Sequence, residues 1–401
     1  MVIMMQVHVL HAHITHMPDI RIEYCVYIFD SESLVSFCKR ASASKVIAVD
    51  TEFMREKTYY PQLCLIQVAT HDEAAAIDPL LIDDLSSLEE LLFNHETVKV
   101  FHSCAQDLEV IYHVFGAVPA PVFDTQVAAA FLGLRLQIGY GALVESYCNV
   151  RLPKAESMTD WAARPLDQAQ LAYAEDDVVY LPGIYDQMMA ELVRRDRYAW
   201  VAPEMDALVD EGRYAHDPLA AYLHLKRSSS LTRRQLAVAR EVCAWRERLA
   251  AKRNLPRKWV ASDDVLVELA RRQPRTVENL KRTRGTDQLS KRDCEELLAA
   301  VRRGVEADPV SYPSVQHRDR PSGDMESVID LAYALLRLVA EREGIALQLI
   351  ASRDDLYDFA RKKEGCRLAS GWRYEVCGKE MRRLLSGEVG LTVKEDHIEI
   401  L

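Results

Sequence analysis

Val46-Ile47-Ala48-Val49-Asp50-Thr51-Glu52-Phe53 opens on four apolar residues and runs straight into two acids separated by one threonine. A short apolar run of this kind suits a buried strand. Side chains alternate along a strand, so Asp50 and Glu52 project their carboxylates from one face. Two like charges held that close cost free energy unless a cation lies between them, and hard oxygen ligands select Mg²⁺ or Mn²⁺ over zinc. Taken alone, the same residues also suit a strand-end turn with two solvated acids.

Outward from this stretch, Leu63 to Ala69 gives a second strand-like run after Pro61, and Ala74 to Ile77 a third, ended by Asp78-Pro79. Leu85 to Phe93 has helical spacing, Val98 to Phe101 is again short and apolar, and Leu108, Ile111, Tyr112 and Phe115 mark a helix closed by Gly116. Strands in meander, then strand alternating with helix, predict an α/β domain with a mixed sheet covered by helices. From Thr125 onward the period is helical, and Leu171, Ala174, Val178 and Leu181 form one apolar stripe.

Two further segments carry acids. In Phe101-His102-Ser103-Cys104-Ala105-Gln106-Asp107-Leu108-Glu109, Asp107 falls in the first turn of a helix, where an acid suits the helix dipole. It also stands where α/β folds place their sites, at the sheet edge beside Asp50. In Tyr173-Ala174-Glu175-Asp176-Asp177, Tyr173 and Asp177 are i and i+4 and share a helix face, so a hydroxyl and a carboxylate are presented together. Each pair alone reads equally as a cap or a helix hydrogen bond. Specificity comes from the order D-x-E, H-x₄-D, Y-x₃-D.

That ordered set resembles the three exonuclease motifs of the DEDD superfamily, in its tyrosine-bearing branch, and the text around Val46 to Phe53, His102 to Glu109 and Tyr173 to Leu181 is similar to the ribonuclease D family. The resemblance implies a ribonuclease-H-like exonuclease fold and stepwise 3′→5′ release of nucleoside 5′-monophosphates. It makes Asp50, Glu52, Asp107 and Asp177 the carboxylates that bind two divalent ions, Mg²⁺ or Mn²⁺, and Tyr173 the residue that positions the attacking water. Four carboxylates holding two ions suffice for in-line phosphodiester displacement, with no nucleophilic Ser or Cys. His102 reads as structural or substrate-facing, and Asp124, in the family-like segment Phe123-Asp124-Thr125-Gln126, as a supporting group or helix cap.

The totals agree with a multidomain protein: 401 residues, 49% of them hydrophobic and 28% charged, are too many for one domain. Charges interrupt every apolar stretch after Asp19, which excludes a membrane span. Residues 1–22, with His11 and His13, are expected to be a disordered extension, Met17 being an alternative start. Nine cysteines without a C-x-x-C pair suggest neither a disulfide framework nor a zinc site, and read as a reducing, cytoplasmic protein.

Net charge is −11, but residues 1–200 carry 14 Lys/Arg against 28 Asp/Glu, whereas residues 231–285 carry 15 against 6. An acidic half joined to a basic segment suggests a metal-dependent site beside a polyanion-binding module. The expected organisation is an exonuclease domain over 23–200, a connector over 201–230 marked by Pro203 and Pro218, an all-α helical domain over 231–306, a proline-marked linker over 307–324 and a second helical bundle over 325–401. Thr232-x-x-Gln235 is a capping box that opens the first bundle. Its Trp245-Arg246-Glu247 and Leu255-Pro256-Arg257-Lys258-Trp259-Val260 resemble the helicase-and-RNase-D C-terminal (HRDC) domain, which implies that Arg253, Arg257, Lys258, Arg271, Arg272, Lys281 and Arg282 contact nucleic-acid phosphates, while Trp245 and Trp259 are expected in the core. The last bundle lacks a basic stripe and is expected to pack rather than to bind RNA. The resulting expectation is a monomeric 3′→5′ exoribonuclease acting on RNA with a single-stranded 3′ end, tRNA precursors above all. A 3′→5′ DNA exonuclease of repair or proofreading is the alternative enzyme, and a catalytically decayed RNA-binding protein, which should have lost an acid, the alternative class.

Overall fold

The computed structural model describes residues 25–153, 159–313 and 323–401. The extension expected at 1–22 lies outside the described residues, as does half of the linker expected at 307–324. A six-stranded mixed sheet has the order β1-β4-β3-β2-β5-β6, with β1 Cys25–Ile28, β2 Val46–Met54, β3 Gln62–Ala69, β4 Ala74–Ile77, β5 Val98–Phe101 and β6 Val122–Asp124. Antiparallel pairing of β2 with β3 and β3 with β4 makes the meander, and parallel pairing of β2 with β5 and β5 with β6 requires the crossover helices. Asp50 and Glu52 lie inside β2 rather than at its end, because the ladder to β3 continues to Met54 across a register shift between Glu52 and Phe53.

Helices cover the sheet: α1 Ser31–Ala41, α2 Ser86–Leu92, α3 Ala105–Phe115, α4 Thr125–Phe131, α5 Tyr140–Cys148, α6 Gln168–Asp176, α7 Leu181–Arg194 and α8 Tyr198–Leu208. Gly116 ends α3 at φ 80°, a left-handed conformation that glycine adopts without steric cost. The apolar stripe expected over 171–181 is divided: the chain leaves the helix after Asp176 and restarts it at Leu181, so Leu171 and Ala174 pack with Cys64, Leu65 and Trp161, while Val178 and Leu181 enter the main core. Pro203 sits within α8 rather than in a connector; burial of Val201, Met205 and Leu208 offsets the hydrogen bond it removes.

Beyond three short 3₁₀ turns, a helical domain is built from α9 Arg233–Arg253, α10 Arg257–Val260, α11 Asp263–Arg272, α12 Val277–Lys281 and α13 Lys291–Glu306. The capping box is formed: Thr232 accepts from the Gln235 backbone and Gln235 reaches back. This domain has a hydrophobic core of its own. At the crossing of α13 with α9 a side chain on Gly304 would meet Val238 Cα at 2.4 Å, so only glycine permits that approach. Trp245 is in the core as expected, but Trp259 is 53% exposed, because the short α10 turns Val260 inward and Trp259 out.

The last segment comprises α14 Gly323–Glu343, α15 Leu347–Ile350, α16 Arg353–Ala360 and a helix over 371–385, then a hairpin of β7 Leu391–Lys394 and β8 His397–Ile400 that an all-helical reading omits. Its apolar residues do not close on themselves. They continue the exonuclease core: Trp372 packs edge-on to Phe131 and stacks on Trp200, with ring centres 5.2 and 5.7 Å away. Arg373 forms a forked pair with Glu204 at 2.7 and 2.9 Å, and Trp372 Nε1 donates to the same carboxylate at 3.0 Å.

Candidate active site

The geometry brings Asp50, Glu52 and Asp177 together, with ligand oxygens within 4.8 Å of one another. Alternation along β2 aims the first two, and the end of α6 delivers the third. Asp107, in the first turn of α3, completes an acidic set: its Oδ1 accepts from the Thr51 hydroxyl at 2.5 Å, and its charge bears on Asp50, Glu52 and Asp177. The Tyr173 hydroxyl faces Asp177 one helical turn away, as the i, i+4 spacing requires.

Among the described residues the site gathers negative charge without a counter-charge. Burial, then the neighbouring carboxylates, holds Asp50 well above the usual range and pushes Glu52 up to about 8. Burial raises Asp107 and Asp177 to about 7, although hydrogen bonds from Thr51 and Tyr173 pull the other way. Among the described residues, no cationic side chain is one of the groups that set these values. A second observation points the same way: Gln67, directly across from Asp50 in the β2–β3 register, is wholly buried, and neither its amide nitrogen nor its oxygen has a hydrogen-bond partner among the described residues. An all-oxygen donor set, uncompensated negative charge and a spare amide fit a hydrated divalent cation.

Beside the acids lies a cavity of about 550 Å³, lined by Tyr140, Trp161, Gln170, Tyr173, Asp176 and Asp177 among others. Its far wall is fixed by Arg164, which donates to the wholly buried Asp78 at 2.9 Å and to the carbonyls of Trp161 and Cys64 at 2.7 Å each. Tyr140 ties α5 to the end of α6 through Asp176 O at 2.7 Å.

Residues 25–193 match the family model described as 3′-5′ exonuclease, and residues 235–301 match that of the HRDC domain. The ribonuclease D of Jannaschia sp. is 43% identical over 93% of this chain and 98% of its own length. The chain belongs to the ribonuclease D family. The ribonuclease D of Zymomonas mobilis is 39% identical, over 92% of this chain and 96% of its own. Among solved structures, Escherichia coli RNase D, an exoribonuclease involved in structured RNA processing, has a TM-score of 0.78 at 33% identity, covering 90% of this chain and 98% of that one. Membership of the ribonuclease D family makes the chain a 3′→5′ exoribonuclease with a ribonuclease-H-like domain and an HRDC domain, and ties it to divalent metal.

In this ribonuclease D relative His102 is structural. Nδ1 meets the Thr125 hydroxyl at 2.9 Å and Nε2 the Ile138 carbonyl at 3.0 Å, so neither nitrogen is left to face substrate, and burial lowers its pKa toward the neutral ring. Asp124 caps two helices: it accepts from the Gln126 and Val127 backbones at the start of α4 and from Ser103 and Cys104 ahead of α3. The seven basic residues divide. Arg253 is bound to Asp293 at 2.6 Å and Arg257 reaches Glu247 at 3.6 Å, which gives both structural partners. Arg271, Arg272 and Arg282 line, with Arg227 and Arg284, a groove of about 590 Å³ that Asp264 and Glu268 also line; Arg272 is bound to Glu268 at 2.5 Å, Arg227 to Asp264 at 2.8 Å and Arg282 to Glu278 at 3.1 Å, and Lys258 and Lys281 are exposed. The reading from residue spacing passed over Thr51, Gln67, Tyr140, Arg164, Arg227 and Arg284. Of these Gln67 carried a signal, as the interior polar residue of the apolar run Leu63 to Ala69.

Proposed function

We propose that Asp50, Glu52, Asp107 and Asp177 hold two divalent cations, Mg²⁺ or Mn²⁺, for hydrolysis of RNA from its 3′ end. The observation that carries this reading is the meeting of three carboxylates within 4.8 Å, without a cationic partner among the described residues, beside a cavity that Tyr173 and Asp177 line. When bound, the ions supply a hydroxide at neutral pH and neutralise charge on the leaving 3′-oxygen. Tyr173, set against Asp177, orients the attacking water. The cavity walls Trp161, Tyr140 and Gln170 receive the 3′-terminal nucleotide, and the fixed loop around Arg164 keeps that wall in place.

The arginine groove of the helical domain binds phosphates and brings RNA to a domain whose net charge repels it. The substrates are RNAs with a single-stranded 3′ end, tRNA precursors foremost, and the protein acts as a cytoplasmic monomer. Among the described residues no helix is long and apolar enough to cross a membrane.

The test offers a 5′-labelled tRNA precursor with a short 3′ tail and a matched DNA oligonucleotide, with Mg²⁺, Mn²⁺ or chelator. A ladder shortening from the 3′ end on RNA is expected, with Asp50→Asn lowering the rate about a thousandfold, a loss of about 4 kcal/mol of transition-state stabilisation. Full activity of that variant would remove the carboxylates from the mechanism, and equal degradation of DNA would move the function to repair or proofreading.

A further inference from the structure

Of the five tryptophans, Trp161, Trp245 and Trp372 are buried and Trp200 is half-buried, but Trp259 stands 53% exposed on α10. Its backbone is fixed: the N–H donates to Pro256 O at 2.8 Å, and the carbonyl accepts from Gln288 Nε2 at 3.4 Å. Two cations flank it. Arg257 touches Glu247 yet keeps 58% of its side chain exposed, and Lys258 has no ion-pair partner among the described residues. The segment that supplies Gln288 also supplies Arg282, Thr283, Arg284 and Gly285 to the arginine groove, so the backbone of Trp259 is tied to the stretch of chain that forms one side of that groove.

We propose that Trp259 is a stacking platform for an unpaired base of the RNA whose phosphates run along that groove. This rests on reading the chain as an enzyme that binds RNA. An indole stacks on any base, since every base has a π face, and neighbouring Lys or Arg neutralises the phosphate that accompanies it. An exonuclease that removes whichever nucleotide comes next gains from contacts indifferent to base identity. A protein partner is the competing occupant, but protein interfaces centre on apolar residues depleted in charge, whereas Trp259 follows directly on Arg257 and Lys258 and its backbone is tied to a segment that lines a groove with five arginines and two acids.

The experiment uses the full chain in chelator, with a single-stranded oligoribonucleotide of about twelve nucleotides as probe. Trp259 dominates acrylamide quenching of tryptophan fluorescence because it is the exposed indole. RNA is expected to protect it, and Trp259→Phe to abolish the protected component. Trp259→Ala should weaken RNA affinity roughly tenfold and Trp259→Phe far less, while an abasic oligonucleotide with the same phosphates should give no protection. The retained affinity of the Phe variant separates lost stacking from misfolding. Quenching indifferent to RNA, or equal affinity of the Ala variant and the wild type, overturns the platform. Shortening of RNA by the wild-type protein with Mg²⁺ is scored in parallel: shortening without Trp259 protection sinks the platform alone, and RNA neither bound nor shortened sinks the reading beneath it.

Discussion

Thr51 lies between the two acids of β2 in sequence but gives its hydroxyl to the third, Asp107 Oδ1, at 2.5 Å. One strand thereby aims two carboxylates directly and steadies another that arrives from α3, 56 residues later.

Thr51→Val keeps the shape and removes that donor. The hydrogen bond favours the ionised form of Asp107, so its loss raises a pKa that burial has already lifted. Calorimetric titration with Mn²⁺ across pH should show binding weakened about tenfold or more at neutral pH and recovered at higher pH. A uniform loss at every pH would mean that Thr51 acts by packing.

The acidic set also fixes a pH dependence for the metal-free protein. Glu52 is raised from 4.5 to about 8, and Asp107 and Asp177 from 3.8 to about 7. Between the unfolded and folded values the native chain holds protons that the unfolded chain has released, so stability falls as pH rises through this window. Melting in chelator should occur at lower temperature near pH 8 than near pH 6. Mg²⁺ competes with those protons and should raise the melting point more at the higher pH. A metal-free protein that gains stability over the same interval would contradict the uncompensated site.

Glu204 is the anchor for the end of the chain. Its carboxylate receives both arms of Arg373 and the indole of Trp372, and Arg373 is 9% exposed. Glu204→Ala leaves a buried guanidinium without its counter-charge and should cost about 3 kcal/mol in chemical denaturation. An unchanged midpoint would show that apolar packing alone docks this segment.

Arg271 reaches Ser230 Oγ at 2.7 Å and lines the arginine groove. If it contacts one phosphate, Arg271→Ala should weaken RNA binding evenly across sequences and reduce the slope of log affinity against log salt by about 1. Altered sequence preference at an unchanged slope would place it against a base instead.

The two pairs were legible because strand alternation and helical spacing act within a few residues, and Asp50 with Glu52, and Tyr173 with Asp177, stand as those periods predict; that the pairs join each other and Asp107 was implied by the family resemblance. What lay beyond that range was not. Gln67 acquires its place from a cross-strand register, and Trp259 is exposed because α10 is only four residues long, too short for a periodic stripe to declare itself. His102 looked available because its partners, Thr125 and Ile138, stand 23 and 36 residues away. The apolar helices after Gly323 announced a core, but not whose; their partners Phe131 and Trp200 belong to α4 and α8, more than 170 residues before Trp372.

That shared core sets an order of events during synthesis. The ribosome releases the strand that carries Asp50 and Glu52 early, yet the face of α4 and α8 beneath Trp372 stays bare until the helix over 371–385 emerges. The HRDC domain, closed on its own core, can finish while its neighbour waits. A transcript cut short before that last segment therefore yields a polypeptide with all four clustered acids and an uncovered apolar flank, a substrate for chaperones and proteases rather than a loose nuclease.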